Sequence, residues 1–190
     1  MSQIRIACMG DSLTEGYGID LSQRWTDLLA ADIGIEVFNS GISGDTTAGM
    51  LARFKPMVID LNPTHCIIMG GTNDVSHGLP IEIIISNIRA MTRYARHYGI
   101  QSIIGIPTPV LIDEADWGAM YPAMRAFAGQ LEVYLERLRQ FAVEDDQPVI
   151  EFGKGLGAEH FLPDGVHPNE AGHAQMAQNA VEVVGRLMKD

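Results

Sequence analysis

Ile4-Arg5-Ile6-Ala7-Cys8-Met9-Gly10-Asp11-Ser12-Leu13 is an apolar run with enough β-branching for a strand, and a glycine stops it. Gly10 ends the strand abruptly, which leaves Ser12 at its carboxyl end, on the turn into the next element. In an open parallel α/β sheet, ligands bind in the crevice outside those strand ends. A hydroxyl standing there is a candidate nucleophile for a carbonyl, provided a base and an oxyanion site lie nearby. Asp and Ser are also common turn residues. The meaning of Ser12 therefore depends on what the rest of the chain brings to the same edge.

Outward from this stretch, strand-like and helix-like runs alternate to the end of the chain, the pattern of a parallel sheet covered by helices on both faces. Strands are expected at Ile35–Phe38, Thr64–Met69, Gln101–Ile106 and Pro148–Phe152. Helices are expected at Ser22–Ile33 with Ser22 as N-cap, from Asp45-Thr46-Thr47 to about Ile59, from Pro80 to Gly99, at Tyr121–Val143, and from Pro168 onward. Right-handed crossovers between parallel strands fit best with a flavodoxin-like order 2-1-3-4-5. That order makes the first and third strands neighbours and sets Ser12 beside Asn73. The fold class is thus α/β, a three-layer αβα sandwich on a five-stranded parallel sheet.

At 190 residues the chain is expected to form one domain over 1–190. A domain of this size buries roughly 70% of its unfolded surface, so it needs neither disulfide nor metal to hold a core. The net charge is −11 with no Lys/Arg cluster, which argues against nucleic acid and anionic membrane surfaces as partners. Cys8 and Cys66 both lie in apolar strand-like runs and read as small hydrophobes. No apolar run is long enough to span a bilayer. Met1-Ser2-Gln3 leads straight into the first strand without a signal-peptide pattern, so a cytoplasmic location is expected.

The loops on the strand-end side carry the groups that acyl transfer needs. Ser12 is the candidate nucleophile and His167 the candidate general base, since imidazole changes charge near neutral pH. Asp164 lies three residues before His167, across Gly165, so a turn can aim its carboxylate at the second ring nitrogen and hold the tautomer. Asp11 and Asp74 are rivals for that role. Oxyanion donors are the backbone N–H groups of Ser12 and Gly41 and the side-chain amide of Asn73; Gly41 offers backbone that a substrate can approach closely. Each residue also has an ordinary use. Gly41 and Gly71 make turns, Asn73-Asp74 caps one, Asp164 starts an Asx turn, and His167 is a surface residue before a helix. That all of them take only the ordinary use, at these positions, is the less economical reading.

These blocks resemble the SGNH-type GDSL esterase/lipase family. The resembling residues are Gly10-Asp11-Ser12-Leu13, Gly41 after the second strand, Gly71-Thr72-Asn73-Asp74, and Asp164 with His167. Order and spacing match along essentially the whole chain, with no departure inside the blocks. The resemblance implies a flavodoxin-like sheet, a triad of Ser12, His167 and Asp164, and an oxyanion hole of Ser12, Gly41 and Asn73. It also implies no metal and no cofactor. The implied activity is hydrolysis of a small-molecule carboxylic ester or thioester, of esterase, lipase, lysophospholipase or thioesterase type. The motif differs from the Gly-x-Ser-x-Gly elbow of α/β-hydrolases. An acyltransferase on the same site, and a non-catalytic lipid- or carbohydrate-binding module on the same fold, are the alternatives.

Among the other histidines, His65, His97 and His173 fall in expected strands or helices and read as packing or solvent-exposed residues. His77 and His160 fall in loops, and His160, close in sequence to the triad loop, is a candidate pocket residue. Val110, Leu111, Ile112 and Trp117, in the segment from Pro107 to Gly118, are the best source of an acyl-binding wall.

Overall fold

A computed structural model describes residues 4–111 and 121–188. Five strands, β1 (Arg5–Gly10), β2 (Glu36–Gly41), β3 (His65–Met69), β4 (Gln101–Ile106) and β5 (Val149–Glu151), form one parallel sheet in the order β2-β1-β3-β4-β5. The expected order is observed. Side chains alternate across each strand, and two cores result. On one face Ala7, Met9, Cys66 and Ile68 pack against helices α3 (Thr47–Ala52), α4 (Phe54–Met57), α6 (Ile81–His97) and α7 (Tyr121–Glu144), which contribute Met50, Phe54, Ile88, Met91, Leu138 and Phe141. On the other, Ile6, Cys8, Ile67 and Met69 pack against α2 (Trp25–Ile33) and α8 (Glu170–Leu187) through Trp25, Leu29, Met176 and Ala180. Cys8 and Cys66 therefore sit on adjacent strands but point to opposite faces, which precludes a bond between them without rebuilding the sheet.

Helix α6 shows the sequence pattern at work: Ile84, Ile88, Met91 and Ala95 recur at helical spacing and are all buried. Elsewhere the elements differ from expectation for identifiable reasons. The helix expected to run through Ile59 breaks at Arg53 into α3 and α4. Pro56 has no N–H to give the Ala52 carbonyl, and its ring crowds that turn. Ser22 lies inside a 3₁₀ turn, Leu21–Gln23, and α2 starts at Trp25. The last helix starts after Asn169, whose side chain accepts the Gly172 N–H at 3.0 Å, while Pro168 forms an antiparallel bridge with Phe161. Two short helices at the carboxyl edge, α1 (Ser12–Glu15) and α5 (Thr72–Ser76), are too brief to show periodicity in sequence. No helix of the described residues is long and apolar enough to cross a membrane.

Candidate active site

Ser12 is the first residue of α1. The Asp11 carboxylate caps that helix, accepting the Leu13 N–H at 3.0 Å, and the Ser12 N–H, in the first turn, has no intrahelical acceptor. Distant side chains hold this turn from below. The Trp25 indole N–H donates to the Leu13 carbonyl at 3.0 Å, and the Asn39 amide donates to the Thr14 carbonyl at 2.6 Å. Arg53 ties the strand ends together: it donates to the Gly10 carbonyl at 2.8 Å and the Ser40 carbonyl at 2.7 Å, and pairs with Asp45 at 2.6 Å. Trp25 is itself fixed by His173 of α8, whose Nδ1 accepts the Trp25 N–H at 3.2 Å. This first N–H of α2 thus finds its cap 148 residues away, where a local Ser was expected.

The Asp164–His167 loop is built by its own bonds. Asp164 Oδ1 accepts the backbone N–H groups of Val166 and His167 at 2.8 and 2.9 Å, while Oδ2 meets His167 Nδ1 at 2.7 Å. The Asx turn and the imidazole contact are both present, one on each oxygen. The far side of the ring reaches α1, with His167 Nε2 3.0 Å from Ser12 Oγ. Partial burial pushes the Asp164 carboxyl up, but the hydrogen bonds from the His167 backbone and ring and from the Val166 N–H outweigh it. Asp164 is held below its ordinary value and so stays ionised beside the imidazole.

Both rivals to Asp164 are engaged elsewhere. Asp74, fully buried, accepts the Thr47 N–H at 2.9 Å and the Thr47 hydroxyl at 2.6 Å, joining α5 to α3. Asp11, also fully buried, caps α1; burial, with the nearby Asp74 charge adding to it, pushes its carboxyl up to about 7. Its Oδ2 has no hydrogen-bond partner among the described residues.

The candidate oxyanion donors are placed unequally. Asn73 gives one amide proton to the Asp45 carbonyl at 2.9 Å, and the amide carries a second. The Gly41 N–H donates to Asn39 Oδ1 at 3.0 Å. Glycine is required at 41 because a Cβ would stand 2.2 Å from the Glu15 nitrogen; the close approach comes from α1, where a substrate was expected. At Gly71, φ is 104° and a Cβ would strike the Tyr134 hydroxyl. That hydroxyl donates to the Gly70 carbonyl at 2.6 Å, anchoring the turn that carries Asn73.

Of the remaining histidines, His160 is a brace, its Nδ1 accepting the Gly157 N–H at 3.0 Å. His77 follows the last residue of α5 and is exposed, and His97 ends α6 with its ring edge-on to Tyr98. Val110 belongs to the core, and the Leu111 N–H donates to the Gly165 carbonyl at 2.8 Å. Ile112 and Trp117 lie outside the described residues. Among the described residues no three His, Cys, Asp or Glu groups are arranged to hold a metal. His173 is packed, as its place on a helix suggested, but its contact with Trp25, like the supporting contacts of Trp25, Asn39 and Arg53, is one that no local pattern encodes.

The family profile described as GDSL-like lipase/acylhydrolase matches residues 8–175, most of the chain. The chain belongs to that family. This GDSL enzyme is an ester hydrolase, and its sheet is the one its structural relatives share. It is 29% identical over 180 residues to the esterase TesA of Pseudomonas aeruginosa, covering 90% of this chain and 83% of that protein. It is 26% identical over 167 residues to the thioesterase 1/protease 1/lysophospholipase L1 of Escherichia coli, covering 85% of this chain and 74% of the other. Among solved structures, a lipolytic G-D-S-L protein from Veillonella parvula superimposes with a TM-score of 0.79 at 27% identity, covering 96% of this chain and 99% of its own.

Proposed function

We propose that this GDSL ester hydrolase cleaves carboxylic esters or thioesters through an acyl-enzyme on Ser12. His167 Nε2 removes the Ser12 proton as Oγ attacks the carbonyl, and the proton then passes to the leaving alcohol or thiol. Asp164 keeps the proton of the neutral ring on Nδ1, leaving Nε2 free to accept, and steadies the imidazolium once it forms. Water repeats the cycle on the acyl-enzyme. The oxyanion is met by the Ser12 N–H and the second amide proton of Asn73, and Gly41 joins them by sharing its N–H with Asn39 Oδ1. The reading rests on one observation, the unbroken line of contacts Ser12 Oγ–His167 Nε2 at 3.0 Å and His167 Nδ1–Asp164 Oδ2 at 2.7 Å.

The substrate is a small-molecule ester or thioester with a short to medium acyl chain, in keeping with relatives called esterase and thioesterase. Nitrophenyl esters of increasing chain length, assayed beside an acyl-CoA, give the preference. A fluorophosphonate probe followed by peptide mapping tests the nucleophile: label on Ser12 is expected, and label elsewhere or none at all contradicts the reading.

A further inference from the structure

Tyr17 follows α1 by two residues, is 52% exposed and belongs to neither core. Its ring nevertheless packs on the His167 imidazole, centroids 4.5 Å apart and planes tilted by 40°. The backbone holds it there from both sides. Gly16 closes α1 in the left-handed region at φ 88°, and the Tyr17 N–H donates to the Ser12 carbonyl at 3.2 Å. Gly18 lies so close to Leu162 that a Cβ would come within 2.7 Å of Leu162 Cδ1, and the Leu162 N–H donates to the His167 carbonyl at 2.8 Å. The segment leaving the nucleophile and the loop bearing the imidazole therefore meet twice, through the rings and through Gly18 on Leu162.

An aromatic face attracts a cation within about 6 Å of its centroid. A neutral imidazole draws no such benefit, so contact at this distance favours the charged ring. We propose that Tyr17 is a positioning residue for His167, holding its ring toward Ser12 and stabilising the imidazolium that forms when Nε2 takes the serine proton. The proposal rests on the reading of His167 as general base. The proton leaves Ser12 Oγ as Oγ bonds the carbonyl carbon, resides on Nε2 while Nδ1–H stays hydrogen-bonded to Asp164, and passes to the alcohol or thiol as its bond to the acyl carbon breaks.

Among the described residues, the groups facing His167 are Asp164 from its own loop, Ser12 from α1, Tyr17 from the segment after it, and His173 from α8, whose titration the imidazolium charge opposes. Asp164 is ionised and His173, held down to about 4 mainly by burial, is neutral near neutral pH. Neither changes charge near neutral pH.

The test is the rate of Ser12 labelling by a fluorophosphonate probe as a function of pH, in wild type, Tyr17→Leu, Tyr17→Phe and Tyr17→Trp. Tyr17→Leu is expected to move the acid limb down by about half a pH unit and lower the plateau rate about two- to five-fold. Tyr17→Phe restores both, and Tyr17→Trp, the stronger cation–π partner, holds the limb or moves it up. A Leu variant with the wild-type acid limb, a Phe variant matching Leu, or a Trp variant whose limb moves down overturns the proposal. His167→Ala separates this from the underlying reading. If labelling continues at the wild-type rate without the imidazole, the general base is wrong and the proposal falls with it. If labelling is lost while Tyr17→Leu leaves the limb in place, the role of Tyr17 alone is wrong.

Discussion

The turn carrying Ser12 and the loop carrying His167 meet at one hydrogen bond, yet they are built in opposite ways. The His167 loop is held largely by local bonds: Asp164 bonds residues two and three positions ahead, and the Leu162 N–H closes on the His167 carbonyl, with the Leu111 N–H reaching the Gly165 carbonyl from outside. Apart from the backbone bonds of its own short helix, the Ser12 turn has the Asp11 cap as its local side-chain support, and it leans on Trp25, Asn39 and Arg53, which are 12, 25 and 43 positions from the groups they bind. Damage to the first region should therefore cost chemistry with little stability. Damage to the second should cost both together.

Asp164→Asn is the largest single test of that contrast. Asparagine can still accept the backbone bonds of the turn but cannot hold the working tautomer, so kcat is expected to fall about 10³- to 10⁴-fold. The unfolding midpoint should move little. A comparable loss of stability would break the comparison.

Arg53→Met attacks the other side. It strands the partly buried Asp45 carboxylate and frees the Gly10 and Ser40 carbonyls, and removing one partner of a buried pair costs about 3–5 kcal/mol. Chemical denaturation should show that loss, with a fall in kcat for the fraction that stays folded, because the strand ends bearing Ser12 and Gly41 loosen. Unchanged stability would mean that the brace is redundant.

The pH dependence of stability sharpens the contrast further, since two buried titratable groups support the Ser12 turn, Asp11 directly and His173 through Trp25. Burial puts Asp11 at about 7 when folded, above its unfolded value of about 3.9. The folded state thus holds a proton that the unfolded state has lost, and Asp11 costs stability progressively as pH rises from about 4 to about 7. His173 runs the other way. Its folded value of about 4 lies below an unfolded value of about 6.5, so its contribution is complete above about 6.5 and is lost as pH falls toward 4. Each span is on the order of 3–4 kcal/mol. Asp11→Asn keeps the cap and should therefore stabilise more at pH 8 than at pH 5; an equal effect at both would show that Asp11 is not held protonated.

Trp25→Phe is the mildest case. It removes the bond to the Leu13 carbonyl while keeping an aromatic ring against Phe152, and an unpartnered buried carbonyl costs about 1–3 kcal/mol. A lower unfolding midpoint with a several-fold lower kcat is expected; full activity would show that Leu13 is held by other contacts.

The same contrast governs what could be read from the sequence. The strands were legible because each is a short apolar run with turn residues after it, and the parallel alternation led to the observed order. Strand β2 was under-read by three residues, since Asn39, Ser40 and Gly41 are poor strand formers that pair only because Cys8, Met9 and Gly10 stand beside them. The Asp164–Gly165–His167 spacing was legible because its bonds are local. The supports of Ser12 were not: nothing near Trp25 in sequence announces that His173 caps its helix, and nothing near Arg53 shows that it ties β1 to β2. Gly41 was singled out, but for the approach of a substrate, and the packing against α1 could be seen only in three dimensions.

The central claim is that two differently supported segments act as one catalytic unit, and a cycle of Ser12→Ala, His167→Ala and the double variant, read as kcat on a nitrophenyl ester, tests it most directly. Each single change is expected to cost several orders of magnitude, and the double variant no more than either alone. Losses that multiply in the double variant, or a single variant near full rate, would contradict it.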